Sequence, residues 1–139
     1  MNIRNIADSL QLDLYTVVVD WNEFKDLQLS YFNAGVVDIE ALTDHAIIAT
    51  LYKVAIKFRI KFILSGSNSK TEFTLPKHWI WNKYDHVNIL DIHKRFGSMK
   101  LKTYPVYDRL LKKKVQLSKI KTVDLLNYVE FDEIGRAHV

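Results

Sequence analysis

The chain has 139 residues, room for one domain of ordinary size and not for two. Hydrophobic residues make up 48% and charged residues 26%, which supplies a core and excludes wholesale disorder. There is no cysteine, so disulfides, thiolate-bound zinc, iron–sulfur clusters and a cysteine nucleophile are excluded within this stretch.

Met1 to Leu10 already has helical spacing, with Ile3, Ile6, Ala7 and Leu10 on one face and only Asn2 before it as a cap. The chain therefore reads as entering partway through a helix, as an internal fragment of a larger protein would. Leu14 to Asp20 is a nearly unbroken apolar run rich in β-branched residues, the pattern of a strand buried on both faces. Asn22 to about Asn33 predicts a helix with Phe24, Leu27 and Tyr31 on its stripe and Gly35 just past its end. Asp38 is placed to cap a second helix running to about Phe58, with Glu40 in its first turn and a core face of Ile47, Leu51, Val54, Ala55 and Phe58. Ile60 to Leu64 predicts a second short strand. Strand, helices and strand in this order make a parallel α/β unit, because the connection is far too long for a hairpin. The two strands, 14–20 and 60–64, are expected to lie parallel in one sheet with 40–58 packed across it.

Beyond residue 73 the pattern weakens. Pro76 to His86 is polar and aromatic, carrying Trp79, Trp81 and Tyr84, and predicts a long loop. Asn88 to Phe96 predicts a helix closed by Gly97, and Pro105 to Leu117 a basic helix with Pro105 near its start. Thr122 to Phe131 fits helix or strand equally. Glu133 to Val139 departs from what precedes it and matches one frame of a common sequencing adapter. We expect this tail to be non-native and the natural sequence to differ after about Asp132.

Charge is unevenly distributed about its net of +4. Residues 1–52 carry Arg4 and Lys25 against eight carboxylates, whereas 94–121 holds ten bases and the single acid Asp108. Such a segment suits phosphates, nucleic acid or an acidic partner, and equally a solvated helical face. No apolar run reaches the roughly 18 residues of a membrane span, and no signal-peptide layout opens the chain, so a cytoplasmic location is expected.

The most informative local feature is Ser65-Gly66-Ser67-Asn68-Ser69-Lys70-Thr71-Glu72. Coming directly after a strand, it belongs at the carboxyl edge of the sheet, where open α/β folds bind ligands. Gly66 lets backbone approach a ligand, and the short polar side chains offer hydrogen bonds. An ordinary polar turn has the same composition.

Leu14-Tyr15-Thr16 with Val19-Asp20-Trp21 and Glu23-Phe24-Lys25-Asp26-Leu27-Gln28 resembles the N-acetyl sugar amidotransferase family. So do Thr43-Asp44-His45-Ala46-Ile47, Ala49-Thr50-Leu51-Tyr52-Lys53, and Ser65-Gly66-x-Asn68-x-x-Thr71-Glu72 followed by Leu75-Pro76-Lys77-x-Trp79. Ile92-His93-Lys94-Arg95-Phe96-Gly97 and Leu125-Leu126-Asn127-Tyr128 carry the resemblance on, so that it covers about residues 3–132.

That family is similar to the PP-loop ATP pyrophosphatases. The resemblance implies a partial HUP-like (Rossmann-like) parallel sheet with flanking helices, lacking the first strand and the PP-loop. Residues 1–104 would form a partial PP-loop domain, 105–132 its basic extension and 133–139 the non-native tail. It further implies that ATP, accompanied by Mg²⁺, adenylates the oxygen of a sugar N-acetyl group. Ammonia from glutaminase and cyclase-like partner subunits would then displace AMP to leave an acetamidino sugar for surface polysaccharide.

In this scheme Glu72 and Asp44 are the catalytic candidates, and Ser65, Gly66, Asn68, Thr71, Asp20, Lys77 and Trp79 bind nucleotide or nucleotide-sugar. The family's Ser-Gly-Gly-x-Asp-Ser loop does not occur in this sequence and Ser67 replaces a second glycine, so the chain alone is expected to be inactive. Asp20 equally suits a helix cap, Asp44 a helix-dipole partner and the tryptophans a packing role over the sheet. The five histidines lack metal-ligand spacing, so no protein-bound metal is expected. A PP-loop enzyme acting on tRNA or another small amide is an alternative. So is a basic nucleic-acid-binding or docking module, built on 94–121 with Phe96, Tyr104 and Tyr107, although no RNA-binding signature accompanies it.

Overall fold

The computed structural model describes residues 2–69, 76, 79 and 81–129. Over these the chain is a mixed α/β protein. In order come α1 (Ile3–Ser9), α2 (Trp21–Ala34), α3 (Ala41–Lys57), β1 (Phe62–Ser65), α4 (His86–Phe96), α5 (Arg109–Ser118) and β2 (Lys121–Asp124), then a 3-10 turn over Leu125–Tyr128. Among the described residues no helix is long and apolar enough to cross a membrane.

Local chemistry sets the ends of α2. The Asp20 carboxylate accepts from the amides of Asn22 and Glu23 at 2.9 and 3.1 Å, and Gly35 closes the helix at φ +66°, the left-handed conformation that glycine adopts without steric penalty. The expected stripe is borne out. Leu27 and Tyr31 are buried, and Phe24 packs beside them.

β1 and β2 pair in parallel, with Phe62 opposite Lys121 and Ser65 opposite Asp124. A parallel pair was expected, but not this one. Leu14 to Asp20 forms no strand and joins no ladder. It lies along α3 instead: the Tyr15 ring meets Phe58 edge-on at 5.5 Å, and Lys57 Nζ donates to the Tyr15 hydroxyl. The run is β-competent, but no strand stands beside it among the described residues, so its side chains from Leu14 to Val18 stay exposed. Val18 is 85% exposed, while Val19 packs against the core.

The buried face of α3 is also not the predicted one. Ile47, Leu51 and Phe58 are exposed, and of the expected stripe only Ala55 is buried. The core takes Leu42, His45, Ala46 and Ala49, a stripe rotated around the same helix. Because α3 is apolar on more than one side, periodicity offered two faces, and packing chose between them. Its start shifts too. Asp38 bonds the Ala41 amide but also Lys83 and the Trp81 amide, and the helix begins only after a turn at Ile39–Glu40.

The core has two adjoining parts. Leu27, Tyr31, Leu42, Ile89 and Tyr104 join α2, α3 and α4, and Ala49, Tyr107, Leu111 and Val115 join α3 to α5. Helix α5 starts at Arg109, capped by Asp108, rather than near Pro105. Helix α4 ends at Gly97 as expected, though for a packing reason. Gly97 has no left-handed φ, but a Cβ there would collide with the His93 ring. The ambiguous 122–131 stretch divides, with its described part shared between β2 and the 3-10 turn.

Candidate functional site

β1 carries the chain into Ser65–Ser69 at the carboxyl end of the parallel pair. There a cavity of about 650 Å³ opens between the sheet, α3 and the 3-10 turn. Ser65, Gly66, Ser67, Asn68 and Ser69 all line it. The Ser67 amide donates to Ser65 Oγ at 3.0 Å, which folds the loop back on the strand end. Asn127 Oδ1 accepts from both the amide and the hydroxyl of Ser69, pinning the loop to the 3-10 turn. A Cβ on Gly66 would meet no atom within 4 Å, so this glycine leaves room rather than relieving strain.

The structure adds Asp124 to this wall, a carboxylate in register with Ser65. Sequence reasoning passed over it because the strand that positions it could not be told from a helix. Hydroxyls, amides and one carboxylate suit hydroxyl, amide or ammonia groups. A triphosphate fits less well, because no Lys or Arg is among the described residues lining the cavity.

The other expected site residues are not gathered here. Asp20 caps α2. Asp44 sits in the first turn of α3, where Lys83 Nζ reaches it at 3.1 Å and Asp38 at 2.6 Å. Burial works against the charges of Asp38 and Lys83, but their mutual hydrogen bond prevails, lowering the Asp38 pKa and raising that of Lys83. Trp79 borders a separate cavity with Trp81. Thr71, Glu72 and Lys77 lie outside the described residues.

His45, beside Asp44 in sequence, is fully buried. Its Nδ1–H donates to the Lys83 carbonyl at 2.7 Å, and its Nε2 accepts the Tyr107 amide at 3.0 Å, which fixes the tautomer. Burial lowers its pKa, so the ring stays neutral and ties α3 to two loops. Two further carboxylates on α2 do similar work. Glu23 accepts from the amides of Lys102, Thr103 and Tyr104, and Asp26 from the amides of Ser98 and Met99. Residues 98–104 are thus held to α2 by charge-assisted bonds.

The basic segment presents its charges outward. Lys112, Lys113 and Lys114 are exposed on α5, opposite buried Leu111 and Val115. Tyr104 and Tyr107 are buried, so their rings are not offered for base stacking.

Comparison with protein-family profiles, curated proteins and solved structures finds no significant match to this chain.

Proposed function

We propose that this chain forms one wall of the site of an ATP-dependent amidotransferase with a partial PP-loop, HUP-like architecture. Its acceptor would be the N-acetyl group of a nucleotide-linked sugar in the cytoplasm, and its product an acetamidino sugar for surface polysaccharide. One observation carries the reading. A parallel strand ends in a Ser/Gly/Asn loop that lines a sizeable cavity, the place where open α/β sheets hold ligands. The ordered resemblance across residues 3–132 supports it.

ATP supplies the adenylation that turns an amide oxygen into a leaving group. The work of this chain's residues is positional. The Ser65 and Ser69 hydroxyls and the Asn68 carboxamide orient the acceptor, and Asp124 accepts from a hydroxyl or from incoming ammonia. Ammonia comes from glutaminase and cyclase-like subunits, and a pyrophosphate-binding loop meets the phosphate charge that this cavity leaves uncompensated.

The test is an enzyme containing this chain and a Ser-Gly-Gly-x-Asp-Ser loop, supplied with ammonia and a nucleotide-sugar. AMP and pyrophosphate should appear together, and only when the acceptor is present. Asn68→Ala and Glu72→Gln should each lower turnover by at least ~10-fold, about 1.4 kcal/mol of barrier. Residues 1–139 alone should form no AMP. Release of ADP, or near-normal turnover in both variants, contradicts the reading.

A further inference from the structure

The amino-terminal end of the strand pair, opposite the cavity at the end of β1, has a surface chemistry of its own. Because β1 and β2 are parallel, the links that feed them from α3 and α5 arrive side by side. The Lys121 amide donates to the Lys61 carbonyl at 2.9 Å, and Lys61 Nζ donates to the Ser118 carbonyl at 2.9 Å. Two segments distant in sequence, 57–62 and 117–121, thus meet at one pole of the molecule.

They bring Lys57, Arg59, Lys61, Lys119 and Lys121, all exposed. No acid accompanies them: the sequence has no Asp or Glu between Asp44 and Glu72, or between Asp108 and Asp124. The neighbouring Tyr15, whose ring meets Phe58, follows Asp13 by two residues, one acid against five bases. Among the described residues none of the five forms an ion pair. Arg59 and Lys119 adopt φ of +56° and +53°, the left-handed conformation for which α2 uses Gly35. A cation at a helix C-terminus is favoured by the dipole, which accounts for part of the charge. It does not account for the large apolar side chains between the bases. Phe58, Ile60, Phe62 and Leu117 are all exposed, Leu117 by 74%. Phe62 and Lys121 are partners in register, so ring and base stand side by side on one face of the pair.

We propose that this pole docks peripherally on an anionic lipid surface. The bases attract acidic headgroups, and the apolar side chains among them enter the boundary between headgroups and acyl chains. A nucleic acid would meet the same charges but gain nothing from Ile60 and Leu117, which stack no base. A second copy placed here by two-fold symmetry would set the same bases against each other. Docked this way, the cavity at the carboxyl end of β1 faces away from the lipid. The amidotransferase reading makes no use of this pole, so the two stand or fall separately.

The experiment sediments the 139-residue chain with vesicles of phosphatidylcholine, alone or mixed with phosphatidylglycerol, at physiological salt. Binding to the anionic vesicles should be at least ~10-fold tighter and should weaken as salt rises. Lys119→Glu with Lys121→Glu should lower it at least ~10-fold, and Phe62→Ser with Leu117→Ser by a similar factor. These side chains are already in water, so helical circular dichroism should not change. Arg109→Glu with Lys112→Glu, the same charge reversal in the first turn of α5 and so at its other end, should keep binding within about threefold. Equal retention on both vesicles, full binding in both pole variants, or an equal loss in the Arg109 and Lys112 variant would overturn the proposal. So would tighter binding to a single-stranded oligonucleotide than to anionic vesicles. Failure to bind either vesicle, with self-association that both pole variants abolish, would assign the surface to a second copy instead.

Discussion

Asp26 accepts hydrogen bonds from the Ser98 amide and hydroxyl, the Met99 amide and the His93 Nε2–H, the last at 2.8 Å. The Ser98 hydroxyl leads these in holding the carboxyl far below the usual carboxylate range, against the opposing effect of burial. A carboxylate with a depressed native pKa stabilises the fold fully above its unfolded value, near 3.8, and loses that contribution as pH falls through the native value. His45 acts in a higher window. Its native pKa is lowered from 6.5, so below that value the unfolded chain takes the proton first and stability falls. Urea unfolding should therefore show stability declining from about pH 6.5 and falling further below about pH 4. Asp26→Asn should flatten the lower part of that decline and cost roughly 2 kcal/mol at neutral pH, from lost hydrogen bonds and opposed donors. Wild-type stability in Asp26→Asn at pH 7 would show that this carboxylate is not an anchor.

Among the elements, the run from Leu14 to Asp20 separates propensity from partnership. Its β-branched residues suit a strand, yet a ladder needs a neighbour, and β1 takes β2 instead. Hydrogen exchange should find the amides of 14–20 exchanging fast while those of α2 and α3 are protected. The adjacent valines Val18 and Val19 should respond differently to charge. Val18→Asp should change stability by no more than about 0.5 kcal/mol, because the side chain is already in water. Val19→Asp should cost roughly 2 kcal/mol or more, because it places a carboxylate against the core. Equal effects would mean that Val19 is not packed against the core.

At the scale of the whole molecule, large apolar side chains remain in water on several elements at once. Phe62 and Leu64 on β1 are 62% and 65% exposed, and Ile47, Leu51 and Phe58 on α3 are also outside the core. Exposed apolar surface, where it is contiguous, marks interaction sites and aggregation hazards. The purified chain should bind an apolar dye such as ANS in its native state and sediment in a concentration-dependent way. Phe62→Lys combined with Leu64→Lys should reduce both while leaving helical circular dichroism intact. A monomer without dye binding would show that these side chains are covered in solution.

What short-range chemistry controls could be read from the residues alone. Asp20 and Gly35 bound α2 because a side-chain cap and a left-handed φ act within a few residues. The passage from strand to Ser/Gly/Asn loop at Ser65 was legible for the same reason, and with it one wall of the candidate site. The buried face of α3 was settled by packing, since the helix offers apolar residues on two sides. Packing likewise pairs β1 with residues 121–124, across more than 50 residues of chain, and so brings Asp124 and Asn127 beside Ser65. The cavity that joins Trp79 and Trp81 to Tyr31 is of the same kind. Its residues lie far apart in sequence, and their meeting depends on packing energies that no local pattern contains.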